Sequence, residues 1–210
     1  MNYQERRRLQ AQKTEEAILR SALTLMRQQG YDKVSVRDIC NHAGITTGAF
    51  YHHFPSKEAL LVSGVGALDY YVQQALADHE DEPPIDRLRF ILTAYADFME
   101  RESGELTGQY YLIRLSNVSD PKRSFRLDPD RYIERVMVTC FDEAKARGEY
   151  KSRRSSQWAA AFCYRHFRGL VLDWILSGYS YSLRERMLDD FDALQEFVYD
   201  QSHPCDSGPA

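Results

Sequence analysis

The sequence lacks any apolar run near the ~20 residues that span a bilayer, which predicts that no segment is a transmembrane helix. No apolar stretch follows its polar N-terminus, so we expect no secretory signal and a cytoplasmic location. Cysteine is scarce: the chain has 4, and none forms a C-x-x-C pair. Scattered cysteines favour reduced thiols over a disulfide framework. Internal repeats and low-complexity tracts are also absent.

Charge is unevenly distributed along the 210 residues, whose formal net charge is −4. Residues 1–60 carry a net charge of +3 and residues 61–210 a net charge of −7. The acidic total by itself argues against a nucleic-acid partner, but the split leaves a basic N-terminal module on an acidic body. Hydrophobic residues make up 43% of the chain, which excludes wholesale disorder.

No segment alternates like a strand, and apolar residues recur at helical spacing almost throughout, which predicts an all-α fold. The clearest break is Asp81-Glu82-Pro83-Pro84, and the residues after 201 are typical of a disordered tail. The spacing predicts helices at about 14–29, 35–42, 46–54, 56–79, 85–101, 105–117, 129–147, 155–177 and 183–201.

The informative segment is 35–57, where two short helices flank a tight turn, as in a helix-turn-helix. Ser35 and Asp38 form a capping-box pattern, and Gly44 supplies the turn. The second helix presents short side chains and hydrogen-bonding aromatics that suit a major groove. Gly48 is a poor helix residue, which indicates that something approaches the backbone there, and Lys57 follows where a phosphate would lie.

At these residues the chain resembles the N-terminal domain of the tetracycline-repressor (TetR) family of bacterial transcription regulators. The resemblance covers nearly 50 residues, from Thr14 to Leu61. It rests on Gly30-Tyr31, Val34-Ser35-Val36-Arg37-Asp38-Ile39, Ala43-Gly44-Ile45, Gly48-Ala49-Phe50-Tyr51-His52-His53-Phe54 and Ser56-Lys57-Glu58-Ala59-Leu60-Leu61.

The resemblance implies about nine helices, with a three-helix DNA-binding domain at 1–55 and a larger effector and dimerisation domain at 56–201, followed by the tail at 202–210. It implies a regulator, most simply a repressor, that is not an enzyme and needs no cofactor or metal. The partner is a double-stranded, near-palindromic DNA operator. The implied base-facing residues are Arg37, Thr47, Gly48, Ala49 and His52, and the implied phosphate contacts are Ser35, Thr46, Tyr51, His53 and Lys57.

The same resemblance implies a homodimer through the helices at about 155–177 and 183–201, where Gly169 allows close approach. The aromatic-rich body suggests a cavity for an apolar or aromatic small-molecule effector. The candidate lining residues are Tyr95, Met99, Tyr110, Arg114, Met137, Phe141, Phe162 and His166. Among them, Arg114 leaves room for an anion.

Several alternatives remain open. Arg6–Arg8 lie in a polar arm before the first predicted helix, and this arm either reaches a minor groove or is simply solvated. Cys163 and His166 share a helix face without the third group that a nucleophile and base require. Cys40, His42, His52 and His53 could bind metal by composition but not by spacing. The rival functions are a DNA-binding protein without an effector and an enzyme or carrier that uses the helical body.

Overall fold

The computed structural model describes residues 2–116 and 131–199, and within these ranges the chain forms nine α-helices and no strand. The predicted all-α fold class is therefore confirmed. None of the helices in these ranges has both the length and the apolarity that crossing a membrane requires. The helices are α1 (Tyr3–Gln29), α2 (Val36–Ala43), α3 (Thr47–His53), α4 (Lys57–Leu76), α5 (Pro84–Asp97), α6 (Leu106–Ser116), α7 (Tyr132–Ala146), α8 (Ser156–Leu176) and α9 (Leu183–Tyr199).

Helix α1 begins at Tyr3, well before the predicted start near Thr14. Asn2 caps it: its side chain accepts from the Glu5 amide at 2.8 Å, and the Glu5 carboxylate accepts from the Asn2 amide at 2.7 Å. The Thr14 hydroxyl instead donates to a carbonyl oxygen one turn earlier, at 2.9 Å. Arg6–Arg8 therefore lie inside a helix, and the prediction of an arm before the first helix is wrong.

Other helix ends differ from the predictions by a few residues. Helix α4 closes with a 3₁₀ turn at Ala77–His79, and Pro84 opens α5, as the break predicted. Helix α5 ends at Asp97 because a π-helical turn, Phe98–Ser103, follows it. The predicted tail at 202–210 lies outside the described residues.

The described residues form two compact units. The first comprises 2–67 and 103–116, and the second comprises 68–102 and 131–199. Helix α6, which the sequence assigned to the effector domain, packs with the first unit. The domain boundary at residue 55 stays a prediction.

The core of the first unit gathers apolar residues from every helix in it. Phe50 of α3 is fully buried there, and so is Phe54, which the sequence predicted as core. Burying a phenylalanine stabilises a fold by roughly 1.5–3 kcal/mol, so these two rings anchor α3. The core consists of Ile18, Ala22, Leu25, Met26, Val34, Ile39, Cys40, Phe50, Phe54, Leu60, Leu61 and Leu106.

The turn between α2 and α3 follows the sequence prediction. Ser35 caps α2 within a capping box completed by Asp38. Gly44 ends α2 in the left-handed region, at φ 67°, and its amide donates to the last turn of the helix. Ile45 packs against the core, so the chain turns sharply into α3.

The second unit packs α7 against α8 and α5 against both α7 and α9. Its most buried ion pair joins Arg131, before α7, to Asp69 in α4, with Arg131 Nη2 donating to Asp69 Oδ1 at 2.9 Å. Arg131 Nη1 also donates to the Tyr164 hydroxyl at 2.8 Å. Burial lowers the pKa of Arg131, but Asp69, together with the nearby Tyr164 and Tyr95, raises it overall. Arg131 therefore stays charged and joins α4 to α8.

Replacing Gly44 with alanine should destabilise the first unit by about 1–2 kcal/mol, because an L side chain is strained at positive φ. Gly64→Ala is the matched control: Gly64 is helical, and a Cβ there meets no atom within 4 Å. We expect the control to be neutral or stabilising by up to about 1 kcal/mol. Urea denaturation, monitored by circular dichroism, measures the unfolding free energy of both variants. Equal stability of the two variants would contradict the assignment of the turn.

Candidate nucleic-acid interface

Helix α3 presents a polar surface opposite its buried Phe50. Thr46 caps the helix, its hydroxyl oxygen accepting from the Ala49 amide at 3.1 Å. This bond leaves the hydroxyl proton available to a phosphate oxygen. Most of the sequence-predicted contacts lie on this surface: Thr46, Thr47, Gly48, Tyr51 and His52 are exposed, whereas Ala49 and His53 are half-buried.

The sequence has no carboxylate between Asp38 and Glu58. No acidic side chain of this segment, which includes α3, would therefore repel DNA. Arg37, in the first turn of α2, is exposed beside it. The side chain of Asp38 is occupied, because hydrogen bonds from Ser35 hold it and lower its pKa. This arrangement suits the approach of a polyanion.

Gly48 has no packing reason to be glycine. A Cβ built on it meets only the Thr46 hydroxyl oxygen, at 3.8 Å, which is an ordinary contact. Glycine costs up to about 1 kcal/mol relative to alanine in a helix. No packing contact inside the unit explains this loss of helix stability. It therefore supports the prediction that an outside partner approaches the Gly48 backbone.

Tyr51 also lies on the outer face of α3. Its side chain is 56% exposed, and its ring stands edge-on to Phe50, with centroids 5.3 Å apart. A large aromatic residue at that exposure is not a core residue. Tyr51 therefore lies on the surface, where its contact with a phosphate stays a prediction.

Ser35 is less available than the sequence suggests. Its amide donates to the Asp38 carboxylate at 2.9 Å, and its hydroxyl donates to the same carboxylate oxygen at 2.5 Å. Both donors of Ser35 are therefore occupied by the capping box. Ser35 could bind a phosphate only by giving up one of these bonds.

Lys57 makes contacts within its own unit that the sequence did not predict. Its ammonium donates to the Tyr31 carbonyl at 2.8 Å and to the Val34 carbonyl at 3.0 Å. It also lies over the Tyr31 ring, 4.1 Å from the centroid. Two of its three N–H donors thus fasten the start of α4 to the loop between α1 and α2. One donor remains for the predicted phosphate.

The hydroxyl of Tyr31 completes this arrangement by donating to Glu58 at 3.3 Å. Burial, followed by the nearby Glu58 charge, raises the pKa of Tyr31 to about 12. Tyr31 therefore remains a neutral donor at any physiological pH. Nothing in the sequence links 31 to 57, because the contact depends on how α1, α2 and α4 pack.

The predicted effector residues are divided between the two units. Tyr110 and Arg114 lie on α6 in the first unit, where Tyr110 packs against the core. Phe141 and Phe162 line one cleft of the second unit, while His166 is bound to Asp190, Nε2 to Oδ2, at 2.9 Å. The other three are buried in the second unit: Tyr95, Met99 and Met137.

The alternative chemistries gain no support from the described residues. Cys163 is buried, which raises the pKa of its thiol to about 12, and His166 pairs with Asp190 rather than with the thiol. Among residues 2–116 and 131–199, no three potential metal ligands lie together. Cys40, one of the metal-capable set, is buried in the core of the first unit.

The chain is similar in sequence to known bacterial transcription regulators. The sequence profile of bacterial regulatory proteins of the tetR family matches residues 18–63. The transcriptional regulator AcrR of Shigella flexneri is 26% identical over 194 residues, covering 86% of each chain. YuxN of Bacillus subtilis, an uncharacterised helix-turn-helix regulator, is 49% identical over 57 residues, which span 27% of this chain and 19% of YuxN.

A solved structure shares the fold. The crystal structure of FadR from Thermus thermophilus, a TetR-family transcriptional repressor in complex with lauroyl-CoA, superposes with a TM-score of 0.63. It is 22% identical and covers 86% of this chain and 92% of that chain. The exposed helix-turn-helix lies in the segment that the profile matches, and together these findings support a transcription regulator of the tetR family.

Proposed function

We propose that this regulator is a homodimeric repressor that binds a near-palindromic operator through α3 and is released by a small molecule bound in its second unit. The observation that carries the DNA-binding part is the exposed polar face of α3, with a glycine that nothing inside the unit requires. The crystallised FadR, a repressor with bound lauroyl-CoA, supports repression and release.

On this face we assign the base contacts to Arg37, Thr47, Gly48 and His52, with Ala49 beside them. Thr46, Tyr51 and His53 contact phosphates, and Lys57 adds its third donor. Ser35 mainly caps α2. Phosphate contacts position the protein, and groove contacts select the sequence.

Dimerisation is supported by an exposed stripe on α8. Large apolar side chains there reach solvent, with Trp158 and Leu172 each 37% exposed and Leu176 77% exposed. The stripe positions alternate by four and three residues, the spacing of a helix-packing seam. They are Trp158, Phe162, Arg165, Gly169, Leu172 and Leu176. A second copy of α8 would cover this stripe, and two-fold symmetry would place two α3 helices on one operator.

Trp174 and His166 of α8 do not belong to that stripe. Trp174 is buried, and its indole N–H donates to the Tyr181 carbonyl at 2.9 Å. His166 pairs with Asp190 of α9. The face that remains open for a second copy is therefore the one centred on Gly169.

Release requires that the second unit influence α3, and α4 provides the connection. Lys57 fastens its start to the loop of the first unit, and Arg131 holds Asp69 within the second unit. An effector that moves the Asp69 end would pull on the helix that begins beside α3. Coupling of about 1–3 kcal/mol changes operator affinity by about 5–150-fold.

Changing Gly48 to alanine should separate stability from function. We expect the unfolding free energy to stay the same or rise by up to about 1 kcal/mol, since the Cβ meets only an ordinary contact. Operator affinity should fall about tenfold or more, because the methyl group occupies space that DNA needs. Fluorescence anisotropy on an operator selected with the unmodified protein measures this, with Gly64→Ala as control. Unchanged affinity in a stably folded Gly48→Ala protein would refute the assigned face.

Changing Gly169 to leucine tests the dimer. A Cβ at Gly169 meets nothing within 4 Å inside the protomer, so the fold should tolerate the change. A bulky side chain in the centre of the stripe should raise the dimer dissociation constant at least about tenfold. Sedimentation velocity measures the assembly, and Asp142→Leu, at an exposed position of α7, is the control. If the Gly169→Leu variant dimerises as tightly as the unmodified protein, this face of α8 is not the dimer interface.

A further inference from the structure

A cleft in the second unit is lined by aromatic rings from three helices and the loop between α7 and α8. It encloses about 20 Å³ of free space, or about 350 Å³ with its open mouth. The lining residues are Phe141, Tyr150, Trp158, Ala159, Phe162, Cys163, Phe191, Leu194 and Gln195. Only two of these, Phe141 and Phe162, are candidates that the sequence named.

One polar group in the cleft has no assigned role. Gln195 Nε2 is buried and has no hydrogen-bond partner among the described residues. A buried donor without a partner costs about 1–3 kcal/mol, so native proteins rarely keep one without a reason. An acceptor atom entering the cleft would recover this cost.

The lining carries no charge. None of the nine side chains is a carboxylate, ammonium or guanidinium, and burial raises the pKa of the Cys163 thiol to about 12, so it is protonated. The interior is therefore suited to a neutral ligand, because a charge would be desolvated without a counter-ion. Arg154 is not among the lining residues; its guanidinium lies over the Trp158 ring, 5.0 Å from the centroid.

Trp158 forms the partly exposed wall of the cleft. Its ring is stacked on Phe162, with centroids 5.1 Å apart and planes 11° from parallel, and the side chain is 37% exposed. With its open mouth the cleft has room for an aromatic ring, and a ligand of that size would enter past this indole. A flat ligand could then stack against the aromatic rings.

We propose that this cleft binds a neutral, planar aromatic molecule that carries one hydrogen-bond acceptor, with Gln195 as donor and Trp158 as the partly exposed wall. The inference rests on the proposed function in one respect: the ligand would be an effector. Because Trp158 and Phe162 also belong to the α8 stripe, occupancy would alter the surface offered to the second copy.

The test uses two probes of the same shape. Quinoline has a ring-nitrogen acceptor, and naphthalene does not. The 210-residue chain contains 2 tryptophans, so ¹H–¹⁵N spectra show two indole signals. The Trp158 signal should shift saturably with quinoline. The Trp174 indole, bound to the Tyr181 carbonyl, is the internal reference.

We expect quinoline to bind about 2- to 10-fold more tightly than naphthalene, the contribution of one hydrogen bond. Gln195→Leu should remove this preference while leaving naphthalene affinity within about twofold. Gln157→Leu, a neighbouring glutamine on α8 outside the cleft, should keep it. No saturable shift of Trp158, or a preference that survives in Gln195→Leu, would overturn the proposal.

Operator binding is measured separately with the same probes. If quinoline shifts Trp158 but never changes operator affinity, the binding site stands and its role as effector site fails. If another compound releases the operator while neither probe perturbs Trp158, the repressor function stands and this site is overturned.

Discussion

The surface proposed to contact DNA depends on one constraint: α3 has seven residues, too few to remain helical alone. Its helical form is imposed by the burial of Phe50 in the core of the first unit and by the Thr46 cap. The exposed side chains are therefore only as well ordered as the core beneath them. Loss of this packing would therefore also disorder the proposed contact face, because the buried Phe50 ring supports the outward groups of α3.

The same logic extends to α4, whose two halves belong to different compact units. A lysine ammonium secures its start through two carbonyl groups, and a buried guanidinium secures Asp69 further along. A cation with several directed hydrogen-bond donors fixes the orientation of the helix as well as its distance from the partner group. A purely apolar contact fixes orientation less well. Helix α4 is thus held at Lys57 within the first unit and at Asp69 within the second unit. The proposed coupling of effector binding to operator binding requires both contacts.

Two helical glycines, unlike Gly64, are exposed and lie on the surfaces proposed to meet a partner. Gly48 and Gly169 each reduce helix propensity, and neither is required by close packing inside the chain. One lies on the proposed DNA face and the other on the proposed dimer face. The charge is divided in a way that fits this assignment, with +3 on residues 1–60 and −7 on the remainder. Phosphates would be attracted to the basic segment and repelled by the acidic remainder of the chain.

The sequence by itself determined the all-α class, the capping box of Ser35 and Asp38, and the turn at Gly44, because these features depend on contacts a few residues apart. It missed the early start of α1, since a polar helix gives no apolar periodicity to detect. Only the tertiary structure decided that Lys57 binds backbone carbonyls, that α6 joins the first unit, and that Gln195 completes an aromatic cleft. Those outcomes depend on groups far apart in the chain, which only the packing of helices brings together.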